Sequence, residues 1–173
     1  MKKKIPAFLT KNIATRLNEL ANDIAINALD EFDENFERQG FFKKNDWKKS
    51  DNKKRGGSTL IGKGSGRLRR SLYIKQADSR KIEIAADGVP YAAIHNAGGK
   101  IKITEKMRGW AWSQHYKKNK SKKKRKQMSM HKAIAITKKT HLIIPKRQFL
   151  GHHPILTTQT EDLIKKEFSN FFR

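Results

Sequence analysis

Apolar residues at Ile13, Leu17, Leu20, Ile24, Ala28, Phe32 and Phe36 recur at spacings of three and four. No other feature restricts the fold as much. This period sets seven side chains on one stripe of a long α-helix, and such a stripe has to be covered by other elements. The spacing predicts a helix over residues 9–38, with Thr10 as its N-cap and Gly40 as its stop. The exposed side turns acidic toward the C-terminal end, at Asp30, Glu31, Asp33, Glu34 and Glu37. Carboxylates there oppose the helix macrodipole. Either a basic partner or plain solvation is expected for them.

The next stretch, residues 41–66, has the chemistry of a basic loop, with seven Lys/Arg between Lys43 and Arg55. Trp47 is its large apolar anchor. Alternation then predicts an antiparallel hairpin, about 72–77 with 81–86, turning at Asp78-Ser79. Tyr91–Asn96 reads as a short helical turn running into Gly98-Gly99, where glycine suits a positive φ. Ile101–Ile103 suits a third strand, and Thr104–Tyr116 a helix capped by Thr104. Residues 117–127 form a lysine-rich segment expected to be flexible, because such a block repels itself. Residues 127–138 favour a helix, Leu142–Pro145 a strand, and Thr157–Phe172 a C-terminal helix with Leu163, Ile164, Phe168 and Phe171 on its apolar face. The expectation is one α+β domain over 1–173. It would hold an antiparallel sheet of about four strands, packed by the N-terminal and C-terminal helices and carrying long basic loops.

Charge speaks to partners rather than to fold. The net charge is +24, yet residues 1–40 hold six Lys/Arg against seven Asp/Glu. The remaining residues carry all of the excess, which predicts salt-sensitive attraction to nucleic acid, an acidic protein surface or anionic lipid. The candidate polyanion contacts are Lys53, Lys54, Arg55, Lys117, Lys118, Lys120, Lys122, Lys123, Lys124, Arg125 and Lys126. Lysine, not arginine, dominates the longest run, which favours point-charge attraction over shaped recognition.

Catalytic chemistry finds little support. With no cysteine, disulfides, thiol nucleophiles and cysteine-based zinc sites are excluded. The six histidines, His95, His115, His131, His141, His152 and His153, lack the spacing of a helical zinc site. Beyond the first helix the carboxylates Asp78, Glu83, Asp87 and Glu105 are scattered, whereas a nuclease needs clustered metal ligands. Ile61-Gly-Lys-Gly-Ser-Gly66 lacks the Gly-Lys-Ser/Thr ending of a phosphate-binding loop. No apolar run is long enough to cross a bilayer, and the opening Met1–Thr10 is too short and too interrupted for a signal peptide. The expectation is therefore a protein that is not an enzyme, with no cofactor, no metal and no membrane partner.

Two segments carry a resemblance: Tyr91-Ala-Ala-Ile-His-Asn-Ala-Gly-Gly99 and Ile144-Pro-Lys-Arg-Gln-Phe-Leu-Gly151. Their order after Trp47, Gly64–Leu72 and the strand Ile82–Ala86 resembles the phage virion-morphogenesis, or tail-completion, family. The likeness spans roughly residues 10–172. The heavy lysine run at 117–126 and the basic loop at 41–59 depart from the family pattern. The resemblance implies a structural virion protein of the neck or tail that acts in tail completion and head–tail joining. It also implies a homo-oligomeric ring, commonly of six. The implied partners are other neck, connector and tail proteins, with genomic DNA as a further contact. The implied location is the virion, at the head–tail junction or tail end, with assembly in the host cytoplasm. Trp47, Tyr91, His95, Gly98, Arg147, Phe149 and Leu150 become interface or fold anchors, with Phe149 filling a pocket; packing within the domain is the equal alternative. A basic nucleic-acid-binding protein acting off the particle is the competing reading.

Overall fold

A computed structural model describes residues 7–42, 45–48, 59–61, 66–119 and 130–171. Contacts divide the chain into two compact units, Met1–Ala97 with Lys146–Arg173, and Gly98–Pro145. In sequence, the second unit is an insertion in the first.

In the first unit, helix α1 spans Ala7–Arg38. It begins three residues before Thr10, so Thr10 lies inside the helix rather than at its cap. Leu20, Ala21, Ala25, Phe32 and Phe36 are buried, whereas Ile13 and Leu17 remain 39% and 38% exposed. The apolar stripe is thus covered over its later turns and partly open over its first. The helix ends at Arg38, the expected boundary, but Gly40 is not the residue that stops it. Gln39 takes the left-handed conformation (φ 56°), a position that glycine more often fills. Its side chain offsets the backbone strain by donating to the Phe36 carbonyl and accepting from the Thr59 N–H.

Two two-residue strands follow, β1 (Gly40–Phe41) and β2 (Asn45–Asp46), paired antiparallel. A single 3-10 turn at Arg69–Ser71 leads into β3 (Leu72–Ala77), which pairs antiparallel with β4 (Ile82–Ala86). This hairpin forms as the alternation predicts. At its turn the Asp78 carboxylate accepts the Arg80 and Lys81 N–H groups at 2.8 and 2.9 Å, the local bonding that favours aspartate in turns. Helix α2 (Ala92–Ala97) closes this half of the unit. Helix α5 (Pro154–Phe171) starts three residues before the expected Thr157, with proline in the first helical position. It runs antiparallel along α1, joined by Arg16–Glu167 (3.1 Å), Asn27–Gln159 (3.1 Å) and Gln159–Glu31 (2.7 Å).

The second unit contains β5 (Gly99–Lys102), α3 (Glu105–Asn119), α4 (Met130–Ile136) and β6 (His141–Ile144). Strands β5 and β6 pair antiparallel, Gly99 with Ile144 through Lys102 with His141. Thr104 caps α3, its hydroxyl accepting the Met107 N–H at 3.2 Å. The Arg108 guanidinium donates to the carbonyls of Ala135, Thr137 and Lys139 (3.3, 2.6 and 3.3 Å), tying the end of α4 to α3.

The expected four-stranded sheet is not present among the described residues, which form three two-stranded sheets. The β3–β4 ribbon packs on α1 instead of extending sideways, and the later strands pair with each other inside the inserted unit. The expected flexible segment at 117–127 also changes at its start. Lys117 and Lys118 belong to α3, and residues 120–127 lie outside the described residues.

Candidate functional site

Two asparagines organise the first unit around the segment Lys146–Gly151. Asn35 lies on the buried side of α1, one residue before Phe36, and is completely buried. Its Oδ1 accepts the Phe42 N–H at 2.7 Å and its Nδ2 donates to the Phe149 carbonyl at 3.3 Å. Phe42 itself has a positive φ of 54°, so the amide that Asn35 receives belongs to a strained residue. Asn96, on α2, holds the same segment from the other side. Its Oδ1 accepts the N–H groups of Phe149 (2.8 Å) and Leu150 (3.0 Å), and its Nδ2 donates to the Leu150 carbonyl at 3.1 Å. An irregular stretch of backbone that would otherwise be buried unpaired is thereby satisfied by side chains.

Further bonds fix the rest of the segment. The Arg147 N–H donates to the His95 carbonyl at 2.8 Å. Arg147 is buried, and its guanidinium donates through Nε and Nη2 to the Lys48 carbonyl at 3.2 and 3.0 Å. Trp47 Nε1–H donates to the Gln148 carbonyl at 2.8 Å. Phe149 is 1% exposed and packs in one cluster with Phe36, Trp47, Leu68 and Val89. Its ring lies 5.5 Å from that of Phe36, which meets Trp47 edge-on at 5.4 Å. Phe149 therefore fills an internal pocket. Leu150 packs against this cluster and also against Phe32, Phe41 and Phe42.

The electrostatics follow from burial. Desolvation pushes the His95 imidazole below its usual range, and the charge of Arg147 pushes it the same way. His95 Nδ1 is buried and has no hydrogen-bond partner among the described residues. Burial lowers the Arg147 guanidinium too, leaving it charged because the starting value is so high. On the opposite side of α1, Arg69 makes a bidentate pair with Asp33 (2.6 and 2.5 Å) and also bonds Glu37. The Asp33 bond, then the Glu37 bond, raises the Arg69 pKa further. Arg38 pairs with Glu31 at 2.9 Å and with Glu34. Four of the five acidic residues near the end of α1 thus find basic partners within the chain.

Of the residues singled out from sequence, Trp47, His95, Arg147, Phe149 and Leu150 come together here. Tyr91 is 40% exposed and reaches the site through an edge-on contact with the His95 ring at 5.8 Å. Gly98 adopts a φ of 73° at the entry to the inserted unit, a conformation that favours glycine. Lys117 is exposed on α3, and nothing is described of the Lys118 side chain. Lys53, Lys54, Arg55, Lys120, Lys122, Lys123, Lys124, Arg125 and Lys126 lie outside the described residues. Sequence reasoning missed Asn35, Asn96 and Arg69. The available signals were a polar residue on the buried stripe of a helix and an asparagine inside the Tyr91–Gly99 segment.

The arrangement holds the segment by hydrogen bonds and packing. A shallow cavity of about 230 Å³ lies beside the segment, lined by Phe41, Asp46, Trp47, Lys146 and Gln148. Asp46 and Lys146 bring one carboxylate and one amine to its lining. Among the described residues no cluster of three His, Asp or Glu could hold a metal ion, and no helix is long and apolar enough to cross a membrane.

The sequence model of the phage virion morphogenesis family matches residues 6–169, nearly the whole chain. This protein belongs to the phage virion morphogenesis family. No curated protein and no solved structure matches it. As a member of the virion morphogenesis family it has a structural role in forming the phage particle. The bonds of Asn35, Asn96, Trp47 and Arg147 are the feature through which this member fixes its Lys146–Gly151 segment.

Proposed function

We propose that this family member is a neck or tail-end subunit that completes the tail and makes it competent to join a filled head, and that it is not an enzyme. The observation that carries the proposal is the pinned Lys146–Gly151 segment. Side chains from α1, α2 and the Trp47 loop hold it in place. A rigid surface of that kind suits docking between protein subunits. Each described strand pairs on one side, and a strand with a free edge can pair with another copy. If such a head-to-tail contact closes, the result is a ring, here proposed with six subunits. Its neighbours are connector, neck and tail proteins, its place is the head–tail junction or tail end of the virion, and assembly takes place in the host cytoplasm.

The test is electron microscopy of a lysate made by phage with this gene interrupted. Filled heads beside separate, full-length tails are the expected result. Normal joined particles would overturn the neck assignment. The competing reading, a nucleic-acid-binding protein acting off the particle, draws on the excess basic charge. It requires the protein to be missing from purified particles, whereas the neck reading requires a fixed copy number in each.

A further inference from the structure

The positive charge of this chain is divided unequally between its two units. Residues 98–145 contain fifteen Lys/Arg and a single acidic residue, Glu105. In the first unit many cations are neutralised where they stand, as in the pairs of Arg16, Arg38, Arg69, Lys75 and Lys81 with carboxylates. In the inserted unit the one acidic residue lies 3.8 Å from Arg108, and Arg108 is committed to the carbonyls after α4. Lys100, Lys102, Lys106, Lys117, Lys138 and Lys139 are all exposed, and the unit has no second carboxylate to meet them.

Helix α3 adds a second observation. Lys106, Gly109, Trp110, Ser113, Tyr116 and Lys117 are exposed at helical spacing, so they form one stripe. Trp110 is 52% exposed and Tyr116 62%. Both are held in place by neighbours: Trp110 meets His131 edge-on at 5.4 Å, and Tyr116 stacks on Trp112 at 5.6 Å. Gly109 lies in the middle of the helix, and a Cβ there would meet nothing within 4 Å among the described residues. Packing among those residues therefore gives no reason for glycine at a position where it weakens a helix. A partner approaching the helix closely does give one.

We propose that the inserted unit is the nucleic-acid contact surface of this protein. The exposed lysines meet phosphates without reading sequence, and Trp110 and Tyr116 lie against bases or sugars across the open strip at Gly109 and Ser113. The proposal does not depend on whether the protein acts in the particle or off it. Exposed lysines flanking two ordered aromatic rings match the pairing of phosphate contacts with stacking platforms that binds single strands, and competition by an acidic polymer separates this from an acidic protein partner.

The test uses the purified full-length chain, with single-stranded and duplex DNA of random sequence titrated over a range of salt. One variant replaces Lys100, Lys102, Lys106 and Lys117 with Gln; a control replaces Arg70, Arg80, Lys146 and Lys166, exposed residues of the first unit, with Gln. Both lose the same charge, and thermal melts check that both stay folded. The expected result is that the insert variant lowers the slope of log K against log salt on duplex DNA by about 3 to 4, while the control lowers it by less than about 1. Trp110→Ala is expected to weaken single-stranded binding about tenfold. Equal losses in the two lysine variants would overturn the proposal, since net charge alone would then explain the binding. So would polyglutamate of matched charge competing as well as DNA, which would assign the surface to an acidic protein. A Trp110→Ala variant that binds single strands normally would overturn the stacking role.

Discussion

Asn35 holds backbone groups in the buried interior, and Asn96 holds backbone groups that are partly buried. Replacing Asn35 with Ala leaves the Phe42 N–H and the Phe149 carbonyl unpaired in the interior. An unsatisfied buried group costs about 1–3 kcal/mol, so a loss of about 3 kcal/mol is expected in urea unfolding. Asn27→Ala, which removes a partly buried bond to Gln159, should cost less than about 1 kcal/mol. Asn96→Asp should cost less than Asn96→Ala, because the aspartate can still accept from Phe149 and Leu150 and loses the bond to the Leu150 carbonyl alone. His95 adds a pH dependence. Its folded pKa is depressed below the ordinary 6.5 by burial, then by Arg147. The unfolded chain therefore binds the proton first, and stability should fall as the pH drops below about 6.5. His95→Gln should flatten that part of the profile in melts between pH 7 and 5, and an unchanged profile would show that His95 is not responsible. Arg147, Phe149 and His95 were legible in the sequence because they stand in a short, dense motif. The asparagines were not, because apart from the Asn35–Phe42 bond their partners are 53 to 114 positions away and no local pattern reports them.

Elements were legible where a period ran long enough to be counted. The α1 stripe, the β3–β4 alternation and the Thr104 cap all emerged from spacing alone. Strands β1 and β2 have two residues each, too few to show any period, so they were lost within a loop. The four-stranded sheet failed for a different reason. Alternation marks a strand but does not name its neighbour, and here β5 and β6 pair within an insertion. The acidic end of α1 shows the same limit: carboxylates facing an unfavourable dipole left both a basic partner and plain solvation open, and nothing local showed that Arg69 would pair with them from the 3-10 turn. That pair spans two elements and is partly exposed, so Arg69→Ala should cost about 1 kcal/mol and lose its effect at high salt. In α3, Gly109→Ala should stabilise the free protein by about 1 kcal/mol, since helix propensity favours alanine and a Cβ meets no neighbour among the described residues. A destabilised variant would mean that the glycine serves internal packing after all. Hydrogen exchange on α3 amides reads the change directly.

Across the whole molecule, the two units should respond to salt in opposite directions. The first, with 25 Lys/Arg against 15 Asp/Glu, pairs part of its charge locally, through Arg69 with Asp33 and Glu37, Arg38 with Glu31 and Glu34, and Lys75 and Lys81 with Glu83. Screening removes some attraction there, so added salt should leave that unit unchanged or slightly weaker. The inserted unit has one acidic residue among its cations, and its dominant electrostatic interaction is repulsion between lysines. A Debye length near 30 Å at 0.01 M allows every lysine in a unit of this size to repel every other; at 0.15 M the range falls to about 8 Å. Repulsion that favours opening of α3, α4 and the β5–β6 ribbon should then fade. The expected outcome is slower amide exchange in residues 99–119 and 130–144 at the higher salt, with little change or a slight acceleration along α1. DNA should reproduce the salt effect on the inserted unit at low ionic strength, because phosphates neutralise the same lysines, and should leave α1 as it was. A uniform response along the chain would mean that the charge acts through the molecule as a whole, and the division of labour between the units would fall with it.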